Sequence, residues 1–151
     1  MELILWRHAE AEDGIHDMER RLTSKGLKQA DKMAAFLRPH LPQDLHILVS
    51  PAVRAQQTAQ ALTKTFTTNP VLAPESSPQA ILEASDWLQS SKRSVLIVGH
   101  QPTLGEVATW LMTGKPGYQS FKKGAVWWFS RSDAQKNADT TLRLIITPDF
   151  L

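Results

Sequence analysis

The chain has 151 residues, 42% hydrophobic and 21% charged, enough for one globular domain with a sizeable core. A net charge of +2, with lysines and arginines scattered rather than striped, argues against a nucleic-acid binder, and no apolar run is long enough to span a bilayer. Zero cysteines exclude a thiolate nucleophile, a disulfide scaffold and a thiolate zinc site, and Glu2 and Arg7 bracket a stretch too short for a signal peptide, so a cytoplasmic protein is expected.

The first element is an apolar strand, Leu3-Ile4-Leu5-Trp6, that runs straight into Arg7-His8. The stretch 10–21 is too charged for core and reads as a loop over the strand ends. Leu27, Ala30, Met33, Ala34 and Leu37 then recur at helical spacing, giving a helix that stops near Pro39. A second strand is expected over 46–50, leading through Pro51 to Arg54. Ala55, Ala59, Leu62 and Phe66 mark the next helix face, broken by Asn69-Pro70. After a loop over 74–78, Ser77-Pro78 reads as an N-cap with proline in the first turn, starting a helix to about Leu88. The third strand, 94–99, is a continuous apolar run of the kind buried on both faces. It leads directly to His100, and Pro102 suits the first turn of a helix whose apolar face is Leu104, Val107, Ala108 and Leu111. Two late strands, 125–129 and 142–147, flank a polar turn around Asp133 to Asp139. In the first of them, Trp127 and Trp128 should point to opposite faces. Alternating strands and helices make this α/β: a single domain over 1–151 with a mainly parallel sheet covered by helices on both faces.

Arg7 and His8, Arg54, and His100 each stand just past an apolar strand, where a parallel sheet gathers its ligands. Two planar guanidinium forks and two imidazoles converging on one crevice suit a phosphoryl group, whose charge is spread over three oxygens. A neutral imidazole can attack phosphorus in line and divide one hard displacement into two easier ones. Taken singly, a histidine after a strand is more often a solvated loop residue; recurrence at three strand ends favours the functional reading. Glu10, Glu12, Asp13, His16 and Asp17 offer hard oxygen and imidazole ligands, but they lack regular ligand spacing, and a solvated loop is expected instead of a metal site.

The segments Arg7-His8, Arg20-Arg21-Leu22-Thr23 with Gly26, Ser50-Pro51 followed by 54–59, and 98–102 together resemble the histidine phosphatase superfamily, the phosphoglycerate-mutase-like group. Short length, the 20–23 segment and the late Lys122-Lys123-Gly124-Ala125 are similar to the compact SixA-type phosphohistidine phosphatases in particular. That resemblance implies a phosphoglycerate-mutase-like fold, His8 as the phosphorylated histidine, and Arg7, Arg54 and His100 as the rest of the phosphate pocket. It implies an extra phosphate-binding arginine at Arg20, with Arg21 as the alternative. It also implies chemistry without a metal or other cofactor. Ala9 stands where the pattern often has glycine, and Gln101 where asparagine is common. Larger members draw a general acid from an inserted segment. Here that segment is short, and Glu75 is its one carboxylate ahead of Ser77, hence the candidate acid.

Three functions follow as expectations. The leading one is a metal-independent phosphatase acting on phosphohistidine in a signalling or carrier protein, such as a histidine phosphotransfer domain. The second keeps the chemistry but takes a small phosphoester, a sugar phosphate or nucleotide. The third is a non-catalytic phosphohistidine-binding module, disfavoured because such a module could lose the nucleophile and keep the arginines. No nucleic acid or membrane partner is expected.

Overall fold

The computed structural model of the chain describes residues 1–89, 93–132 and 139–151. Its strands are β1 (Glu2–Arg7), β2 (His46–Val49), β3 (Thr67–Thr68), β4 (Val95–Gly99), β5 (Val126–Arg131) and β6 (Thr140–Ile146). They form a single sheet in the order β3-β2-β4-β1-β5-β6. The first four in that order run parallel, while β5 lies antiparallel to both β1 and β6. Helices α1 (Ser24–Leu37), α2 (Val53–Leu62), α3 (Pro78–Ala84) and α4 (Thr103–Thr113) complete the single α/β domain.

The sheet alternation sorts the apolar side chains into two cores. Leu3, Leu5, Leu48, Ile97, Trp127 and Phe129 meet Ile81 and Leu82 of α3 and Leu104, Val107 and Ala108 of α4. Ile4, Trp6, Val49, Leu96, Val98, Val126 and Trp128 meet Met33, Ala34 and Leu37 of α1 and Ala55 and Ala59 of α2. Trp127 and Trp128 thus divide between the two faces, as successive strand residues must. Each fully buried leucine, isoleucine or valine contributes roughly 1.5–3 kcal/mol over an exposed one, so the two layers together fix strand order and register.

Strand order also creates the crevice. The chain leaves β1 into α1 on one face of the sheet and leaves the neighbouring β4 into α4 on the other. Connections that part to opposite faces open a gap beyond the carboxyl ends of those two strands. Gln101 and Pro102 bridge β4 to α4, with Pro102 capping the helix instead of lying in its first turn.

Two expected helices differ in extent, and one edge strand is added. The second helix ends at Leu62, not near Asn69-Pro70, because Thr63, Thr65, Thr67 and Thr68 are β-branched and favour extended backbone. Thr67–Thr68 pairs with Leu48 and Val49 as an edge strand, and Phe66 packs from outside the helix against the second core. The third helix stops at Ala84 instead of Leu88. Asp86 takes a left-handed φ of 55° there, turning Trp87 into the first core. Ser77 does cap this helix, accepting a hydrogen bond from the Ala80 N–H at 3.1 Å. Residues 133–138 of the expected polar turn, like Lys92, lie outside the described residues.

Candidate active site

The parallel register pairs Arg7 with Gly99, so His8 and His100 leave adjacent strands side by side. The His8 N–H donates to the Gly99 carbonyl at 3.1 Å, and the two imidazole centroids stand 5.2 Å apart. Arg54 projects toward them from the first turn of α2. Arg7, His8, Asp17, Arg20, Arg54, Glu75, His100 and Lys123 line one open cleft of about 440 Å³. All six sequence-derived site residues therefore meet in a single place.

The hydrogen bonds of His8 decide its tautomer. Nδ1 lies 2.7 Å from the Ala9 carbonyl, which can only accept, so Nδ1 carries the proton. Nε2 is then a bare lone pair, and it accepts from Arg54 Nε at 3.2 Å. Burial, then the charges of Arg54, Arg7 and Arg20, push the His8 pKa down to about 4, against the Ala9 hydrogen bond. A neutral imidazole with Nε2 facing the cleft is the protonation state a nucleophile needs at neutral pH. Thr58 holds this geometry from below: its hydroxyl donates to the Arg54 carbonyl at 2.7 Å and accepts the Ala9 N–H at 3.1 Å.

His100 complements it. Its Nε2 lies 2.6 Å from the Ser50 hydroxyl, which itself accepts the Ala52 N–H at 3.2 Å. The Ser50 proton is thereby free to be donated to Nε2, leaving the hydrogen of His100 on Nδ1. Burial, then the neighbouring His8 and the charge of Arg54, lower the His100 pKa to about 3. Among the described residues, His100 Nδ1 and Arg7 Nε are buried polar side-chain atoms without a hydrogen-bond partner. An unmet buried donor costs about 1–3 kcal/mol, and two in one cationic cleft match the needs of an oxyanion. Arg7 is anchored by donating from Nη1 to the Phe121 carbonyl at 2.5 Å.

Of the two candidate arginines in the 20–21 pair, Arg20 lines the cleft; Arg21 lies on the neighbouring outer surface of the loop. Glu75 also reaches the cleft wall, from a left-handed residue with φ 69°. Ala9 has no left-handed φ, so the departure from glycine there is free of backbone strain. The Gln101 side chain accepts the Gly105 N–H and donates to the Gln119 carbonyl, tying α4 to the 119–121 segment. Gly99 before His100 makes no close backbone approach. A Cβ there would meet Leu104 at an ordinary 3.5 Å. The close approach is at Gly105, where a Cβ would stand 1.8 Å from the Gln119 carbonyl oxygen.

Sequence reasoning missed Asp17, Ser50, Thr58 and Lys123 as parts of this site. Ser50 and Thr58 stand within the motif segments, and a buried polar residue flanking an arginine is the signal that would have singled them out. Asp17 is hidden among four acidic and imidazole neighbours, Glu10, Glu12, Asp13 and His16, in a stretch that reads as solvated loop. Its carboxylate instead turns inward to Arg54 at 3.1 Å, with Arg20 at 3.1 Å on its other oxygen. Partial burial raises the Asp17 pKa, but the hydrogen bonds and charge of Arg54 and Arg20 outweigh it and hold the carboxyl below its usual range. Among the described residues no three histidine, aspartate or glutamate side chains come together as a metal ion would require. None of the described helices is long and apolar enough to cross a membrane.

The model of the histidine phosphatase superfamily (branch 1) matches residues 3–75. A phosphohistidine phosphatase SixA homolog of Haemophilus influenzae is 32% identical over 122 residues, covering 71% of this chain and 74% of the relative. An uncharacterised protein of Picosynechococcus sp. is 32% identical over 163 residues, covering 100% of this chain and 99% of its own. The structure of the protein histidine phosphatase SixA complexed with tungstate is similar with a TM-score of 0.83, covering 99% of both chains at 23% identity. At that identity the likeness establishes the fold.

Proposed function

The chain belongs to the histidine phosphatase superfamily, and from that premise we propose that residues 1–151 act as one metal-independent phosphatase domain that passes the phosphoryl group through His8. One observation carries the reading above others. His8 Nε2 is unprotonated, accepts only from Arg54 Nε at 3.2 Å, and lines a cleft where two buried donors, Arg7 Nε and His100 Nδ1, have no partner.

In the first step, His8 Nε2 attacks phosphorus. The P–Nε2 bond forms as the bond from phosphorus to the leaving group breaks, and the leaving group takes up a proton from solvent water in the open cleft. Arg7, Arg54 and the Nδ1–H of His100 hold the three equatorial oxygens, and Arg20 adds a third cation at the rim. These groups stabilise charge where it develops, without reorganising. The Ala9 carbonyl stabilises the Nδ1–H of His8 as positive charge grows on the ring. In the second step, a water attacks phosphorus in line, the P–Nε2 bond breaks, orthophosphate leaves and His8 regains its lone pair.

The substrate class that fits best is phosphohistidine on a protein, such as a histidine phosphotransfer domain in a signalling relay. The cleft is open, so a small ligand would lack the enclosing contacts that hold it and exclude water. An imidazole leaving group also depends less on an external acid than an alkoxide does. The relative from Haemophilus influenzae carries the phosphohistidine phosphatase name, which supports the same choice. Glu75 on the cleft wall supports a second reading, a small-phosphoester phosphatase, because an alkoxide would need such an acid.

The deciding experiment compares kcat/KM for a phosphohistidine-bearing protein domain with that for sugar phosphates and nucleotides, with and without prolonged chelation. Rapid-quench labelling of wild type should trap acid-labile, base-stable phosphate, and His8→Ala should trap none and turn over nothing. Normal turnover by that variant would overturn the nucleophile. Loss of activity on chelation, restored by magnesium or zinc, would overturn the metal-independent mechanism. A small phosphoester preferred by orders of magnitude would leave the reaction type and replace the substrate.

A further inference from the structure

Arg54 is the buried cation of the site. It is 3% exposed, and all three of its nitrogens are already in use. Nε donates to the lone pair of His8 at 3.2 Å, Nη1 to the Asp17 carbonyl at 2.6 Å, and Nη2 to Asp17 Oδ2 at 3.1 Å. A guanidinium has five N–H groups, so these bonds leave only two. The other carboxylate oxygen of Asp17 receives Arg20 Nε and Nη2, each at 3.1 Å. Asp17 therefore lies between two guanidinium forks, one oxygen on each, in the way a bound oxyanion would.

The same nitrogens are those a reacting phosphoryl group needs. A phosphorus atom poised for attack by His8 Nε2 has to come between that lone pair and the Arg54 Nε–H now covering it. Its oxygens then compete with Asp17 Oδ2 for Nη2. The two states of Arg54 exclude one another: it holds Asp17 and masks His8, or it holds a phosphoryl group and frees His8.

We propose that Asp17 is an internal competitor for the phosphoryl subsite, displaced from Arg54 by tetrahedral oxyanions, and that it thereby sets both the affinity of the site and its preference for dianions over carboxylates. A carboxylate monoanion arriving from solution would exchange one carboxylate for another and gain little. A phosphoryl dianion brings more charge and a third oxygen, for which the unpartnered Arg7 Nε and His100 Nδ1 are available. The segment bearing Asp17 is built to yield. Its 3-10 turn, Asp17–Glu19, has no buried residue, and its neighbour Ile15 is 98% exposed. The ends of the loop are pinned by separate bonds, Glu12 N–H to the Arg21 carbonyl at 2.8 Å and Thr23 N–H to the Glu10 carbonyl at 3.0 Å. The turn can leave Arg54 without unfastening α1.

This inference rests on Arg54 being a phosphoryl ligand, but not on which phosphorylated molecule is the substrate. The test reads binding of tungstate and orthophosphate to the full chain by calorimetry at neutral pH. Asp17→Asn keeps the shape of the side chain, removes its charge and weakens its hold on Arg54. The expected result is about ten-fold tighter binding of tungstate, with acetate becoming a detectable competitor. Unchanged or weaker tungstate binding in the variant overturns the proposal. Should the variant fail to fold, the wild-type protein decides the matter. The carboxyl carbon resonance of Asp17 should move on saturation with tungstate as its arginine partner is lost, and a resonance that stays in place overturns the proposal equally. Phosphohistidine turnover enters neither measurement, so failure of the substrate assignment leaves this test interpretable.

Discussion

The hydroxyl of Ser50 is a small group with a large expected effect. It is fully buried, 2.6 Å from His100 Nε2, and its acceptor side already receives the Ala52 N–H. Ser50→Ala removes the one proton that holds His100 in its Nδ1–H form. Nε2 is then a buried acceptor without a partner, at a cost of about 1–3 kcal/mol. If the ring moves its proton to Nε2 to escape that penalty, Nδ1 turns a lone pair toward the phosphoryl oxygens and repels them. That shift removes about 1–3 kcal/mol from the transition state, which corresponds to a fall of about 5- to 150-fold in kcat/KM. Urea unfolding should show a loss of about 1–2 kcal/mol, as expected for a buried hydrogen bond. Nitrogen NMR of the His100 ring reads the tautomer directly. A variant whose kcat/KM stays within about two-fold of wild type, with Nδ1 still protonated, would refute the reasoning.

Gly105→Ala should lower stability by about 1–3 kcal/mol, the usual cost of overpacking, because the new methyl meets a backbone oxygen that cannot rotate away. The same displacement should draw the Phe121 carbonyl from Arg7 and weaken tungstate binding; an unchanged thermal midpoint would count against it. Acid should destabilise the fold through the two histidines. Their folded pKa values of about 4 and about 3 lie below the ordinary 6.5, so the unfolded chain binds more protons across that interval. Stability should be fully present above pH 6.5 and fall as pH drops toward 4 and then 3, and His100→Asn should flatten the slope. A urea midpoint that is level from pH 7 to 4.5 would contradict the burial of neutral imidazoles.

Most of the architecture was legible because its signals are local. The apolar runs of β1 and β4 end at chemistry-bearing residues, and the spacing of Ala30, Met33, Ala34 and Leu37 admits one helix face. Helix ends were less legible. Leu88 fits the helical period, but Trp87 gains more by turning into the core at Asp86 than by continuing the helix. Thr67–Thr68 is too short to announce a strand until β2 is beside it. Of the expected site residues that the fold gathers in one cleft, Arg7, His8 and His100 stood out because such side chains have few structural uses at a strand end. Asp17 escaped because a carboxylate in a charged loop resembles every other exposed carboxylate. Its meaning depends on Arg54, 37 residues away, and no periodicity encodes that pairing.

Ala11 and Leu22 pair as a short antiparallel bridge that closes the neck of the loop bearing Asp17. A closed neck separates what happens inside the loop from what happens beneath it. The conformational cost of joining its two ends is met by bonds outside the variable part, and lengthening the interior adds only slowly to that cost. Residues 13–19 are mostly solvent-facing and bear on no core. Apart from Asp17, which is tied to Arg54, they can thus accept substitutions or inserted residues while Arg7, His8 and Thr23 keep their places. For an engineer, or for a lineage acquiring a new client, this is the segment in which recognition can be rewritten while the reaction below it is inherited intact.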